Sequence, residues 1–223
     1  MISDDLFPRI RRFFSAALSL VLPKDALAAE LESLSPADIL ERIPRAEELP
    51  EKLHAVLSYR HPLTRQAVWE IKYRGNRAVT ETFSRIAYES IVGALADELA
   101  LDRFSHPLLV PVPASPSTMK TRGFNQCVRI ARIMENMDGG KNFEVRFDAV
   151  RKVKDTPHQA RSRNRAERLA NLEDSFAAEE KIIRGRNVIV LDDVITTGAT
   201  MREMSRALRA AGAKKVVGFA IAH

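Results

Sequence analysis

Between Asn187 and His223 the chain alternates strand, helix and strand with almost no linker, in "NVIVLDD", "TMREMSRALRAAG" and "KKVVGFAIAH". Two apolar strands joined through one helix, with short connections, form a βαβ unit and run parallel in a sheet that helices must cover. Ligands of such sheets sit at the C-terminal ends of the strands. Asp192 and Asp193 stand at that end of the first strand.

The same alternation reaches upstream. "PLLVPVP" is a short buried strand, "GFNQCVRIARIMENM" a helix stopped by Gly139 and Gly140, and "FEVRFDAVRKV" alternates like a strand before a basic, helix-prone stretch. Earlier, a helix is predicted over Leu63 to Tyr73, a turn at Gly75 and Asn76, and a longer helix from about Ala78 to Leu99. Residues 1 to about 57 read as short helices separated by prolines. In "SPADILERI", Ser35 is an N-cap, Pro36 takes N1 and Asp38 takes N3, close to a capping box. Pro44 and Pro50 then break the pattern. The expected division is an N-terminal helical segment, residues 1–57, serving as hood or packing helices, and one α/β domain, residues 58–223.

"RIRRFFSAALSLVL", Arg9 to Leu22, has the outline of a signal peptide, but Asp4 and Asp5 in front and Lys24 and Asp25 behind argue against one. The run is too short to span a bilayer and reads as a helix that packs on the body or lies on a membrane surface. A net charge of +6 and a pI of 9.7 favour a polyanionic partner, whether nucleic acid, acidic lipid or phosphorylated metabolite. The single cysteine, Cys127, excludes an internal disulfide and a cysteine zinc site and points to a reducing compartment, the cytoplasm. Its helical spacing predicts a small buried residue.

The loop that follows the acid pair is "VITTGAT", Val194 to Thr200. Thr196 or Thr197 would suffice to cap the next helix. Five small or hydroxylated residues in a row, Thr196, Thr197, Gly198, Ala199 and Thr200, instead leave room for a phosphate on the helix N-terminal amides, with Gly198 removing the Cβ in its way. Carboxylates would repel that phosphate, so Asp192 and Asp193 should meet another part of the ligand. Vicinal hydroxyls, or a water-bound Mg²⁺, suit them. Phosphate on one side and hydroxyls on the other describe a ribose 5-phosphate.

The segment Val188 to Thr200 resembles the fingerprint of type I phosphoribosyltransferases, which bind 5-phosphoribosyl 1-pyrophosphate (PRPP). "YRHPLTRQAVWEIKYRGN", "PVPASPSTMKTRGFNQ" and "DTPHQARSRNRAERLANLEDSF" resemble successive blocks of the competence-associated ComF family, over about Tyr59 to His223. The zinc ribbon typical of that family's N-terminus is missing, since no cysteine precedes Cys127. The resemblance implies a type I phosphoribosyltransferase-like, Rossmann-like, mostly parallel sheet flanked by helices. It implies PRPP as ligand with Mg²⁺ and no zinc, the metal held indirectly at Asp192 and Asp193 through ribose or water. Pyrophosphate would lie on the loop Ala114 to Ser117, with Ala114, Ser115 and Ser117 as contacts and Arg122 as a cationic fork. Arg122 as a solvent-facing loop residue is the alternative. The basic stretch would be the segment that closes over PRPP, through Gln159, Arg161 and Arg168. Arg161, Arg165 and Arg168 share a helical face, which a merely solvated surface would also explain.

The expected activity is phosphoribosyl transfer to an unidentified acceptor with release of pyrophosphate, Asp192, Asp193 and Arg122 carrying the chemistry. Two alternatives stand beside it: a PRPP-sensing or DNA-uptake module without turnover, and a nucleic-acid-binding protein using the basic stretch. The corresponding partners are an acceptor molecule, single-stranded DNA or competence proteins, and a second copy in a homodimer. No transmembrane segment is expected.

Overall fold

The computed structural model describes residues 26–50, 52–97, 104–154 and 174–223. The chain folds as α/β. A five-stranded sheet of order β1-β7-β6-β2-β3 is parallel throughout, formed by β1 (Leu53–Leu57), β2 (Leu108–Pro111), β3 (Glu144–Val145), β6 (Asn187–Val194) and β7 (Lys215–Ala222). A second, two-stranded antiparallel sheet pairs β4 (Val150–Lys152) with β5 (Phe176–Ala178).

Period-two alternation along the strands builds a core on each face of the large sheet. Ile189 and Leu191 of β6, with Val217, Phe219 and Ile221 of β7, enter one core. There they meet α1 (Ala26–Ser33), α2 (Pro36–Arg42), α3 (Pro62–Trp69), α4 (Arg77–Ala96) and α6 (Gln126–Asp138). Val188 and Val190 of β6, with Val216 and Ala220 of β7, enter the other. That face is covered by α7 (Glu180–Ile183), α8 (Ala199–Ala210) and the β4–β5 pair. Both central strands are thus buried on both sides, which is why they read as continuous apolar runs.

The capping box at Ser35 is present: its hydroxyl accepts from Asp38 N at 3.2 Å, and Asp38 accepts from Ser35 N at 2.9 Å. Helix α3 starts at Pro62, one residue before the expected Leu63, and widens into a π-helical turn, Glu70–Arg74, before Gly75 ends it. Asn76 then caps α4 through Val79 N.

Helix α5 (Pro116–Arg122) forms where a loop was expected, and two expected elements also differ. Residues 53–57, expected to be helical, form strand β1 at the sheet edge, in register with Gly218 to Ala222 of β7. Five residues interrupted by His54 carry little local signal, and the hydrogen bonds that make them a strand come from the far end of the chain. The run "FEVRFDAVRKV" is two strands rather than one. Phe143 packs in the first core while Ala149 and Val150 pack in the second, so the chain must leave the large sheet between them. Arg146 clasps Asp148 at that departure, with both N–O distances at 3.0 Å.

The apolar run Arg9 to Leu22 and the basic stretch after Lys154, with Gln159, Arg161, Arg165 and Arg168, lie outside the described residues. Among the described residues no helix is long and apolar enough to cross a membrane.

Candidate functional site

Parallel order brings the C-terminal ends of β2 and β6 side by side, with Pro111 opposite Leu191. The two loops that leave these strands face one another across a cleft of about 340 Å³. Its wall contains the acid pair, Thr196 to Met201, and Val112 to Ser115 with Ser117, Thr118 and Arg122. Every expected site residue within the described chain therefore lies at one place. Gln159, Arg161 and Arg168 are the expected residues that fall outside it.

On the β6 side, Gly198 adopts φ 72° and heads α8 without a side-chain cap of its own. A Cβ there would meet the Arg202 guanidinium at 3.2 Å, on a backbone that L side chains rarely adopt. Arg202 in turn donates to Thr197 O at 3.0 Å and fixes the loop from behind. Thr197 Oγ1 accepts from Ala199 N at a long 3.4 Å, so a capping contact exists but is weak. The turn is held open toward the cleft, with the positive end of a twelve-residue helix behind it.

On the β2 side, Ser115 caps α5 (Pro116–Arg122) by accepting from Thr118 N at 3.1 Å. Its hydroxyl also lies 2.9 Å from those of Ser117 and Thr118, forming a three-hydroxyl cluster. Arg122 is not a solvent-facing residue. Its guanidinium lies over the Tyr73 ring, 4.8 Å from the centroid, and donates to Gln126 Oε1 at 3.2 Å. Its buried Nε has no hydrogen-bond partner among the described residues. Asn125 explains why the Arg-Gly-Phe-Asn-Gln block is contiguous. Its side-chain oxygen caps α6 at Cys127 N, 2.9 Å, while its amide donates to Val112 O, 2.9 Å, tying the loop after β2 to the helix start.

The acid pair sits at the floor. Although alternation along a strand sends successive side chains to opposite sides, Asp192 and Asp193 both line the cleft, through different partners. Asp192 Oδ1 accepts from Asp193 N at 2.8 Å and from the Cys127 thiol at 3.4 Å. Asp193 Oδ2 forms an ion pair with Lys72 Nζ at 3.0 Å. The angle of that approach falls short of a good hydrogen bond and leaves the oxygen with acceptor capacity. Burial, then the neighbouring Asp193 carboxylate, pushes the Asp192 pKa up to about 7. Burial and Asp192 push the Cys127 thiol well up. For Lys72 burial acts downward, but Asp193 and Asp192 outweigh it and hold the ammonium above the ordinary lysine range.

The donor atoms of Cys127, Asp192 and Asp193 lie within 4.8 Å of one another. A thiol held protonated is not a metal ligand, and one carboxylate already carries an ammonium. The set therefore fits Mg²⁺ that is bound mainly by a ligand's own oxygens and by water, which reaches the acids indirectly. Lys72 has no assigned role in the sequence reading, although it stands in the block "YRHPLTRQAVWEIKYRGN". Thr118 was also missed, though it follows Ser117 directly.

A family model described as a phosphoribosyl transferase domain matches residues 90–223. The competence protein ComFC of Streptococcus pneumoniae is 29% identical over 153 residues, covering 66% of this chain and 64% of that protein. Competence protein F of Haemophilus influenzae is 27% identical over 169 residues, covering 74% of this chain and 70% of its own. The chain thus spans slightly less than two thirds of the Streptococcus relative. Among solved structures, the glutamine PRPP amidotransferase from B. subtilis aligns at 18% identity with a TM-score of 0.41, over 68% of this chain and 30% of that one. The hypoxanthine phosphoribosyl transferase of Trypanosoma cruzi aligns at 13% and 0.36, over 62% and 63%.

Proposed function

The chain belongs to the phosphoribosyl transferase domain family and is of the ComF type, and from that premise we propose that it binds PRPP with Mg²⁺ and transfers the phosphoribosyl group to an acceptor. One observation carries the reading: a hydroxyl-and-amide loop, a buried acid pair and a second hydroxyl loop with an arginine ring a single cleft at the strand ends. A phosphate, vicinal hydroxyls and a pyrophosphate ask for those three chemistries in that order.

In this reading the 5-phosphate lies on Thr196 to Thr200, receiving amide hydrogens from the start of α8. Asp192 and Asp193 accept from the ribose hydroxyls and orient the sugar. The pyrophosphate lies against Ala114, Ser115 and Ser117, with Arg122 donating from the side. As the bond from C1 to the pyrophosphate oxygen breaks, positive charge grows on the ribose and negative charge on the leaving group. The acid pair faces the first and Arg122 the second. Mg²⁺, bound with the ligand, would neutralise the diphosphate. Gln159, Arg161 and Arg168 are assigned to the segment that closes over it and excludes water. The sheet, with β1 at its edge, carries this core, the helices before β1 serve as hood, and the reducing cytoplasm is the proposed location.

The names of the relatives favour a second reading. Competence proteins suggest a PRPP-responsive module in DNA uptake that binds without turnover, with single-stranded DNA or other competence proteins as partners. Calorimetric titration with PRPP, with and without Mg²⁺, followed by a pyrophosphate-release screen over bases, ammonia and glutamine separates the two. Binding with release supports transfer, and binding without release against every acceptor supports the module. Absence of binding in both buffers sinks both.

A further inference from the structure

Two buried carboxylates on the floor of a cleft that takes phosphates need a cation, and the chain already places one there. Lys72 Nζ stands 3.0 Å from Asp193 Oδ2, on a side chain that is 23% exposed. It also lines the cleft. The π-helical turn that carries it is built around Glu70, a carboxylate only 1% exposed. Glu70 Oε1 accepts from Gln66 at 3.1 Å and pairs with Arg74 at 3.3 Å, while Oε2 accepts from Asn76 at 3.4 Å. Both flanks of the turn are thereby tied to one acid, so Lys72 is presented on a fixed frame rather than on a free helix end. Such π-helical turns are rare and occur frequently at functional sites.

We propose that Lys72 is the built-in counter-ion of the acid pair: its ammonium occupies the place a divalent ion would take on Asp192 and Asp193, so metal enters the site only on the diphosphate of the ligand. The part that concerns the ligand rests on the PRPP reading; the part that concerns the metal does not. Removing the ammonium leaves the Asp193 carboxylate without a cation beside Asp192 and opens a site for a divalent ion, which enters as Asp192 gives up its proton. A sugar phosphate without a diphosphate should need no metal while Lys72 is present.

Mn²⁺ alone, titrated into the full chain and followed by the paramagnetic resonance signal of the free ion, tests the first part. Lys72→Met and Lys72→Gln should bind Mn²⁺ at least about tenfold tighter than wild type. Lys72→Arg should behave as wild type, and adding Asp193→Asn to Lys72→Met should erase the gain. Equal Mn²⁺ binding by wild type and the neutral variants overturns the proposal. So does a wild-type Mn²⁺ site that Asp193→Asn removes, which needs no Lys72 variant to fold. The second part is read by calorimetry with ribose 5-phosphate. Wild type should bind equally in chelator and in Mg²⁺, and Lys72→Met should lose about tenfold in chelator and recover it in Mg²⁺. Loss without recovery overturns it. Wild type that binds no ribose 5-phosphate in either buffer sinks the PRPP reading and leaves the Mn²⁺ result standing.

Discussion

The loops after β6 and β2 face the same cleft, yet they are prepared for it differently. The β6 loop turns through Gly198 into a twelve-residue helix whose first amides receive, among the described residues, one long side-chain contact. The β2 loop runs into a seven-residue helix already capped by Ser115, whose hydroxyl is shared with those of Ser117 and Thr118. An anion arriving at the first finds donors waiting and a full helix dipole. At the second it would have to displace bonds the protein makes with itself, and Arg122 is the cation placed there to compensate. Monophosphate affinity should therefore rest on the β6 loop, and the added affinity of a pyrophosphate on the β2 side.

Gly198→Leu is the harshest way to break that contrast. The side chain would meet Arg202 on a left-handed backbone and block the approach. Ribose 5-phosphate and PRPP should both weaken by roughly a hundredfold, ~3 kcal/mol, by calorimetry. Retained affinity would move the monophosphate elsewhere. Arg122→Ala sharpens the other half: PRPP should lose ~1.5–3 kcal/mol, a charge-assisted hydrogen bond, and ribose 5-phosphate much less. Equal losses for the two ligands would remove the distinction between the loops.

Between the loops, the acid floor should respond to pH without any ligand. Asp192 holds its proton up to about 7 in the folded chain, against an ordinary carboxylate value when unfolded. Its contribution to stability is full below the unfolded value and is lost as pH rises through about 7. Asp192→Asn cannot ionise. Relative to wild type it should gain about 1.4 kcal/mol of stability per pH unit between about pH 4 and pH 7, seen as a widening gap in Tm. A gap that is constant with pH would place the proton elsewhere. The smallest effect is expected from Ser115→Ala, which removes the α5 cap at a cost of ~0.5–2 kcal/mol in unfolding free energy. Ribose 5-phosphate binding should be untouched. Equal loss of affinity for both ligands would show that the β2 loop also holds the monophosphate.

Much of the sheet was legible because buried parallel strands write themselves as apolar runs: β2, β6 and β7 fall where those runs lie. That Thr196 to Thr200 lead from strand into helix was legible for a similar reason, since these residues are contiguous and small. Strand β1 was not, because an edge strand of five residues is specified by β7, about 160 residues further on. The split of residues 143–152 into two strands was hidden as well. Alternation shows that a strand exists, but not which of two cores its side chains enter.

The floor of the cleft divides the same way. Sequence alone determined that two carboxylates close an apolar strand, that small hydroxylated residues follow, and that Ser35 stands where a helix begins, because periodicity and capping act within a few residues. Only the tertiary structure decided what surrounds those carboxylates. Cys127 reaches Asp192 across 65 positions of sequence, and Lys72 reaches Asp193 from a helix on another part of the sheet. Strand order sets those distances, and the charge balance of a buried site depends on distance rather than on neighbours in the chain.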